Sequence, residues 1–188
     1  MPFVPPGVVN IPARNSFEEG AMLEPANTVL EAVRRLSLQP GDAVLVADQG
    51  PIGLMFARLL QLAGACVLAT DLLEARLKPD HRFGSRWVCR GDDGRLGETI
   101  SRLTWRRGLD AAVIAVPLDQ VVLQALTWLR GGGKLMLFAL TRQAWRLIWI
   151  WPPSACMIKT CSAAIPPISS CKRKWPGRFF GGTLMCAN

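Results

Sequence analysis

Two glycines and a carboxylate between residues 43 and 71 have types and a spacing that could form a binding site. The turn Asp48-Gln49-Gly50-Pro51-Ile52-Gly53 follows an apolar run at 43–47, and Asp71 ends a second apolar run that begins at Cys66. Such a turn lets backbone approach a pyrophosphate, a helix N-terminus offers free N–H groups, and a carboxylate after the next strand can hold a ribose. We therefore predict these cofactor-binding residues: Gly50, Pro51, Ile52, Gly53 and Asp71.

The acid at Asp71 also predicts which dinucleotide binds. It follows Gly53 by 18 residues, close to the roughly 20 expected for a ribose-binding acid. A carboxylate accepts hydrogen bonds from a free 2′-hydroxyl and repels a 2′-phosphate, so NAD is favoured over NADP. Asp48 stands where the fingerprint has its first glycine, and we expect its negative charge to weaken cofactor binding without changing the fold. The alternative is a parallel sheet of the same kind that binds no nucleotide.

Strands that alternate with helices predict a parallel, right-handed, doubly wound sheet of the Rossmann type, in the α/β class. We expect about five strands, with the sheet truncated at the sixth and followed by an irregular C-terminal tail. The expected strands are 43–47, 66–71, 87–89, 111–116 and 134–139. The expected helices are 27–36 capped by Asn27, 51–62 with Pro51 in its first turn, one beginning at 72–78, 99–107, and 118–130 stopped by Gly131-Gly132-Gly133.

Composition limits the classes of protein that fit. The chain has 188 residues, half of them hydrophobic, which is enough for one good core. No segment has the 18 or more uninterrupted apolar residues of a membrane span, and the N-terminus lacks the layout of a signal peptide. These features predict a cytoplasmic protein with no membrane partner.

Several of these motifs, taken together, resemble the zinc-dependent medium-chain dehydrogenases, most closely their alcohol, sorbitol and threonine dehydrogenase branches. The resemblance covers residues about 8 to 142. The matching pieces are Glu18-Glu19-Gly20-Ala21-Met22-Leu23-Glu24-Pro25, Leu38-Gln39-Pro40-Gly41-Asp42, Gly50-Pro51-Ile52-Gly53, Thr70-Asp71, Gly108-Leu109-Asp110 and Gly132-Gly133-Lys134.

The resemblance implies hydride transfer from a small alcohol or polyol to NAD, with a catalytic zinc that polarises the substrate oxygen. It implies that Glu24 corresponds to a glutamate near the zinc or its water, and it carries over no cysteine or histidine as a metal ligand. In the family the zinc ligands lie mostly in an N-terminal domain, upstream of the Glu-Pro pair. We therefore expect a cofactor-binding domain that is incomplete and inactive alone.

Other ionisable or metal-binding side chains are more simply interpreted as structural or surface residues. His81 is the only histidine and lies in an Arg-rich loop, which favours a surface position. Cys66 and Cys89 fall in predicted strands and are expected to be small core residues. Arg106 and Arg107 are most simply a solvated helix end. The four cysteines after residue 142 lack the paired spacing of a zinc site: Cys156, Cys161, Cys171 and Cys186.

The last 46 residues differ in composition from the rest. The net charge of +8 is distributed unevenly along the chain. Residues 1–142 contain 16 Lys/Arg and 14 Asp/Glu, whereas residues 143–188 contain six Lys/Arg and no acidic residue. This change can mark a shifted reading frame. Because Trp and Met codons end in G, reading from the last base of each codon turns Trp149-Ile150 and Met157-Ile158 into aspartates. The alternative is a genuine cationic extension that binds an acidic partner, although nucleic acid is not the expected one.

We divide the chain into a lead-in remnant of the catalytic domain (1–25), an NAD-binding domain (26–142) and a frameshifted, poorly ordered tail (143–188). A missing sixth strand would leave the fifth strand as an edge, which argues against a homo-oligomer formed through that side. Two other functions remain open. One is an S-adenosylmethionine-dependent methyltransferase, which also places an acid after its second strand, and the other is a non-catalytic nucleotide-binding module or gene remnant.

Overall fold

A computed structural model describes residues 11–139 and 160–163, giving only the backbone for Asp80, His81 and the second segment. The described elements alternate between helix and strand, as the sequence predicts. In chain order they are α1 (Phe17–Ala21), α2 (Leu23–Leu36), β1 (Ala43–Ala47), α3 (Pro51–Leu62), β2 (Cys66–Asp71), α4 (Glu74–Leu77), α5 (Asp80–Phe83), β3 (Trp87–Arg90), α6 (Leu96–Leu103), β4 (Leu109–Ile114), α7 (Asp119–Trp128), β5 (Leu129–Leu137) and β6 (Thr160–Ala163).

The strands form one parallel sheet in the order β3-β2-β1-β4-β5-β6. This order is that of a Rossmann sheet, in which β1 lies at the centre and the chain winds outward in both directions. The predicted α/β class and doubly wound topology are confirmed.

The sheet is covered on both faces, which is why its central strand β1 is apolar throughout. Along β1, Val44 and Val46 pack on one side with α2 and α3. Ala43, Leu45 and Ala47 pack on the other side with α6 and α7. Successive side chains of a strand point to opposite faces, so a strand buried between two helical layers needs apolar residues at every position.

The helix expected to begin at Asn27 begins earlier, so that prediction is wrong at its N-terminus. Helix α2 starts at Leu23 and contains Glu24 and Pro25 in its first turn. Proline is tolerated there because the first N–H groups of a helix have no intrahelical acceptor. Its other end fits the prediction, since Leu36 is the last helical residue and Ser37 follows at φ +46°.

The glycine run after α7 does not separate helix from strand as predicted. It lies inside β5, where the pairing with β4 jumps from Leu109 opposite Leu129 to Ala111 opposite Lys134. The run forms a bulge, and Gly132 has a φ of +73°, a conformation that favours glycine. Other boundaries also differ from prediction. Helix α6 spans Leu96–Leu103 rather than 99–107, and α7 ends at Trp128 rather than at 130. Strand β4 spans Leu109–Ile114 rather than 111–116, and β5 spans Leu129–Leu137 rather than 134–139.

A sixth strand is present, contrary to the prediction that the sheet is truncated at five. Strand β6 pairs in parallel with β5, with Thr160 opposite Lys134 and Ala163 opposite Leu137. The segment 160–163 is a short stretch of small or β-branched residues, which suits a strand at the border of a sheet. The fifth strand is therefore not an edge at these positions. The predicted irregularity of the remaining tail falls on residues outside the described part of the chain.

Candidate functional site

The predicted site lies where the first two strands end, at the carboxyl edge of the sheet. Strand β1 is flanked by β2 on one side and by β4 on the other. The connections that leave β1 and β4 run to opposite faces of the sheet, with α3 on one face and α7 on the other. Ligands of open α/β sheets bind at such a switch point.

Helix α3 begins at this edge with the glycine turn. Gly50 is its N-cap, with φ −69° and ψ −174°, and Pro51 is the first helical residue. A Cβ on Gly53 would lie 1.8 Å from the backbone oxygen of Asp48, so only glycine allows this contact between helix and turn. The backbone of Gly50 is ordinary extended backbone that any residue can adopt. A Cβ added to Gly50 would lie 3.2 Å from Oδ2 of Asp48, so the glycine leaves space beside that carboxylate. Ile52 is partly buried against the α2–α3 side of the core.

Asp48, at the first position of the turn, adopts the backbone conformation for which glycine is usual. Its φ is +81°, and its N–H donates to the Thr70 carbonyl oxygen at 2.9 Å. Aspartate tolerates positive φ better than most residues, although at some cost in free energy. The substitution of aspartate for glycine therefore preserves the turn and places a carboxylate at its entrance.

Asp71 is held firmly at the end of β2. Its Oδ2 accepts a hydrogen bond from the Gln49 N–H, and its Oδ1 accepts one from the Leu73 N–H, both at 2.8 Å. The side chain is only 5% exposed. These bonds join the glycine turn to the end of β2, so Gly50, Gly53 and Asp71 belong to one local structure, as the sequence predicts.

Arg76, in helix α4, completes this local structure and was not predicted from the sequence. Its Nη1 donates to Asp48 Oδ1 at 2.9 Å and lies 3.7 Å from Asp71 Oδ2. About half of the Arg76 side chain is exposed, so the guanidinium still faces solvent. It lies five residues after Asp71 in a predicted helix, but no pattern along the chain indicates its contact with Asp48.

The charges of this cluster affect one another. Burial and the nearby negative charge of Asp71 raise the pKa of the Asp48 carboxyl above its ordinary value, and the Arg76 guanidinium opposes that rise. Two carboxylates and one guanidinium leave a net charge of −1 at the ends of β1 and β2. The cluster therefore disfavours additional negative charge beside it.

Gln49 contributes the remaining buried polar group. It is 1% exposed, and its Nε2 donates to the Val46 carbonyl oxygen at 2.8 Å. Its Oε1 has no hydrogen-bond partner among the described residues. The side chain thus fixes the path of the chain as it leaves β1 and orients the N–H that binds Asp71.

Glu24 is not brought together with the cofactor residues by any polar contact in the described chain. It is exposed in the first turn of α2, where its Oε1 accepts a hydrogen bond from Thr28 Oγ1 at 2.9 Å. Within the described residues, no three His, Cys, Asp or Glu side chains are grouped so that they could hold a metal ion. Cys66 and Cys89 are partly rather than fully buried, and the side chain of His81 lies outside the described part.

The strand order, the glycine turn at the start of α3 and the acid after β2 define a Rossmann-type dinucleotide-binding domain. The sequence model for the zinc-binding dehydrogenases matches residues 51–157, more than half of the chain. The chain therefore belongs to the zinc-binding dehydrogenase family. This membership confirms the resemblance found in the sequence and supports the expected dinucleotide cofactor.

Similar proteins include several named for polyols. Sorbitol dehydrogenase of Bacillus subtilis is 32% identical over 134 residues, which are 71% of this chain and 38% of that protein. A putative D-xylulose reductase of Agrobacterium fabrum is 33% identical over 129 residues, 68% of this chain and 37% of that protein. The crystal structure of 2R,3R-butanediol dehydrogenase from Bacillus subtilis superposes with a TM-score of 0.68 and 25% identity, covering 82% of this chain and 44% of that one. The chain thus spans less than half the length of these relatives.

The family match also corrects where the resemblance ends. It was expected to stop near Arg142, but the matched region continues through residue 157. Residues 143–157 lie outside the part of the chain that the structure describes, so the hypothesis of a shifted reading frame remains a prediction. In the described ranges, no helix combines the length and the apolar character needed to cross a membrane.

Proposed function

We propose that this chain is the NAD-binding domain of a zinc-type polyol or alcohol dehydrogenase. The observation that carries the proposal is the position of Asp71, which ends β2 and accepts the Gln49 N–H of the glycine turn at 2.8 Å. This bond places a buried carboxylate beside the turn that would admit a pyrophosphate. Each Asp71 oxygen already accepts one backbone N–H and keeps a second lone pair that could accept a ribose hydroxyl.

The surroundings of Asp71 also suit an adenosine. Leu72 and Leu73 follow directly and are each just over half exposed, at 53% and 55%. Exposed leucines beside a fixed carboxylate offer an apolar surface for a base next to an acceptor for a sugar. The negative cluster charge supports NAD rather than NADP as the cofactor.

The proposed reaction is oxidation of a secondary alcohol in a small polyol. The carbinol carbon gives a hydride to the nicotinamide ring, the hydroxyl loses its proton, and the products are a ketone and NADH. The polyol is proposed because relatives of this chain are named for sorbitol, D-xylulose and butanediol. The family match does not favour the methyltransferase alternative.

The described residues do not supply a zinc site. They include no suitable group of metal-binding side chains, and the hydrogen bond of the Glu24 carboxylate is with Thr28 of its own helix. We therefore assign no catalytic step to zinc within this chain, and the role of Glu24 near a metal stays a prediction. The 188-residue chain alone is proposed to bind NAD without oxidising polyols.

A cytoplasmic location also stays a prediction. Oligomerisation needs a test of its own, because β6 covers the side of β5 that was expected to be an edge.

Titration of the full chain with NADH tests the function. We expect saturable binding by the wild type and a loss of about tenfold or more in Asp71→Asn, because a charged acceptor would be lost. Asp42→Asn is the matched control. Asp42 Oδ2 also accepts a backbone N–H, from Gln39 at 2.8 Å, but it precedes β1 at the opposite edge of the sheet. Thermal melting of each variant shows whether it is folded. Equal affinities in the two folded variants would contradict the assignment of Asp71.

A second assay separates the enzyme from the binding module. The full chain is incubated with NAD, zinc and sorbitol, and NADH formation is followed by its absorbance. NADH binding without turnover is the proposed result for this chain. Turnover would contradict the proposal that it is inactive alone, and absence of NADH binding would favour a remnant without cofactor.

A further inference from the structure

We infer that the Asp48–Arg76 ion pair sets the choice between a 2′-hydroxyl and a 2′-phosphate on the cofactor. The inference rests on the proposed function, because it concerns the same dinucleotide site. Asp71 is the acid expected to contact the ribose, whereas Asp48 and Arg76 act beside it. Their effect would be on specificity, with no part in the chemical step.

The geometry places Arg76 beside Asp71, the acid proposed to hold the ribose. Its Nη1 lies 3.7 Å from Asp71 Oδ2, and about half of its side chain is exposed to solvent. A guanidinium has five N–H donors and readily binds phosphate oxygens through two of them. Arg76 is therefore chemically suited to hold a 2′-phosphate if it were free to do so.

Asp48 prevents this by holding the guanidinium. Its Oδ1 accepts the Nη1–H of Arg76 at 2.9 Å, the shorter of the two contacts that Arg76 makes with carboxylates. Removing the charge of Asp48 would change the net charge of the cluster from −1 to 0 and free donors of Arg76. Both changes favour a 2′-phosphate, and neither creates a new contact with a 2′-hydroxyl.

The backbone conformation of Asp48 also supports the inference. A φ of +81° is a conformation in which glycine would be less strained, yet the residue is an aspartate whose carboxylate pairs with Arg76. The strain is compatible with a role for the side chain, since a glycine would complete the usual fingerprint but leave Arg76 with only the longer contact to Asp71.

The test compares dissociation constants for NADH and NADPH in the full chain. Asp48→Asn removes the charge but keeps a side chain that tolerates positive φ. We expect it to shift the affinity ratio towards NADPH by about tenfold, and we expect the added substitution Arg76→Gln to abolish that shift. The control is Glu31→Gln, which removes the acid of another exposed ion pair, Glu31–Arg35 at 3.1 Å on α2. It should leave the ratio unchanged.

The outcomes separate this inference from the proposed function. If the wild type binds NADH but Asp48→Asn keeps the wild-type ratio within twofold, the inference is overturned while the function stands. If the shift appears and persists in the double variant, Arg76 is not the phosphate ligand and the inference is also overturned. If no variant binds either dinucleotide, the function fails and the inference fails with it. The ratios are compared only between variants that melt at temperatures close to that of the wild type.

Discussion

Gly53 and Asp48 contact each other through backbone alone, because a Cβ on Gly53 would lie 1.8 Å from the Asp48 carbonyl oxygen. This contact sets the distance between the start of α3 and the end of β1. The glycine turn can present its N–H groups to a ligand only while that distance is kept. Adding a side chain at Gly53 should therefore destabilise the domain.

Gly53→Ala is expected to destabilise the domain by about 3 kcal/mol, since a rigid backbone atom must move to admit the methyl group. Chemical denaturation of the two proteins measures the change. Gly50→Ala is the control, because its added Cβ would lie 3.2 Å from a movable carboxylate oxygen of Asp48 and its φ of −69° suits alanine. If Gly53→Ala lowers the free energy of unfolding no more than Gly50→Ala does, the close contact between Gly53 and Asp48 is contradicted.

The buried carboxylate of Asp110 should make the folded domain less stable in acid. It is 2% exposed and accepts hydrogen bonds from the Ala43 N–H, from both Arg107 Nη atoms and from Arg130 Nε. Burial opposes ionisation, but the bonds from Arg130, Ala43 and Arg107 prevail and hold the pKa of the Asp110 carboxyl below its ordinary value. The folded state therefore binds this proton less readily than the unfolded state does.

The stabilisation from Asp110 is complete at neutral pH, well above an unfolded pKa of about 3.9, and is lost as pH falls through the lower folded pKa. Unfolding free energies between about pH 6 and pH 3 should fall for the wild type. In Asp110→Asn they should be lower at neutral pH and should fall less steeply. An acid-side slope that is the same in both proteins would contradict this role.

The side chain of Lys134 links β5 to the end of α2. Its Nζ donates to the carbonyl oxygens of Leu36 and Ser37, the latter at 3.2 Å. These atoms are at the C-terminus of the helix, where carbonyl groups lack intrahelical donors and attract a cation. Lys134→Met should cost about 1–2 kcal/mol of unfolding free energy. The exposed Lys78 provides a control in Lys78→Met, and equal effects of the two substitutions would argue against the cap.

The hypothesis of a shifted reading frame predicts one missing or extra base near codon 142. Resequencing the gene from upstream of codon 1 to beyond codon 188 tests it. The forced aspartates at Trp149-Ile150 and Met157-Ile158 favour the hypothesis. The family match through residue 157 and the pairing of β6 with β5 count against it. An unchanged reading frame would contradict the hypothesis and leave a genuine cationic extension.

The unit from β1 to β2 could be predicted from the sequence because its signals are local. Apolar runs gave both strands with their observed bounds, Pro51 gave the first turn of α3, and Gly64, at φ +86°, follows its end. Each of these signals acts within a few residues of the structure that it determines. The start of α2 was missed because Pro25 was interpreted as lying before a helix, although the first turn of a helix accepts it.

The contacts that were missed join residues distant in sequence, or depend on a turn or on strand pairing. Arg76 is 28 residues from Asp48, and no pattern along the chain indicates that α4 brings them together. Arg107 is exposed, as expected, but two of its nitrogens also bind Asp110, a contact that was not predicted and that the turn after α6 makes possible. The glycine run became a bulge only through its register with β4, which the sequence of β5 alone does not specify.

The central claim is that a dinucleotide binds at the carboxyl edge of β1 and β2, with its ribose on Asp71. NMR spectra of the isotopically labelled full chain, recorded during titration with NADH, test it most directly. We expect saturable shifts concentrated in the amides of Gln49, Gly50 and Leu73, two of which bind the Asp71 carboxylate. We expect no shift at Asp42, which lies at the opposite edge. Shifts confined to other surfaces, or none at saturating NADH, would contradict binding at this edge.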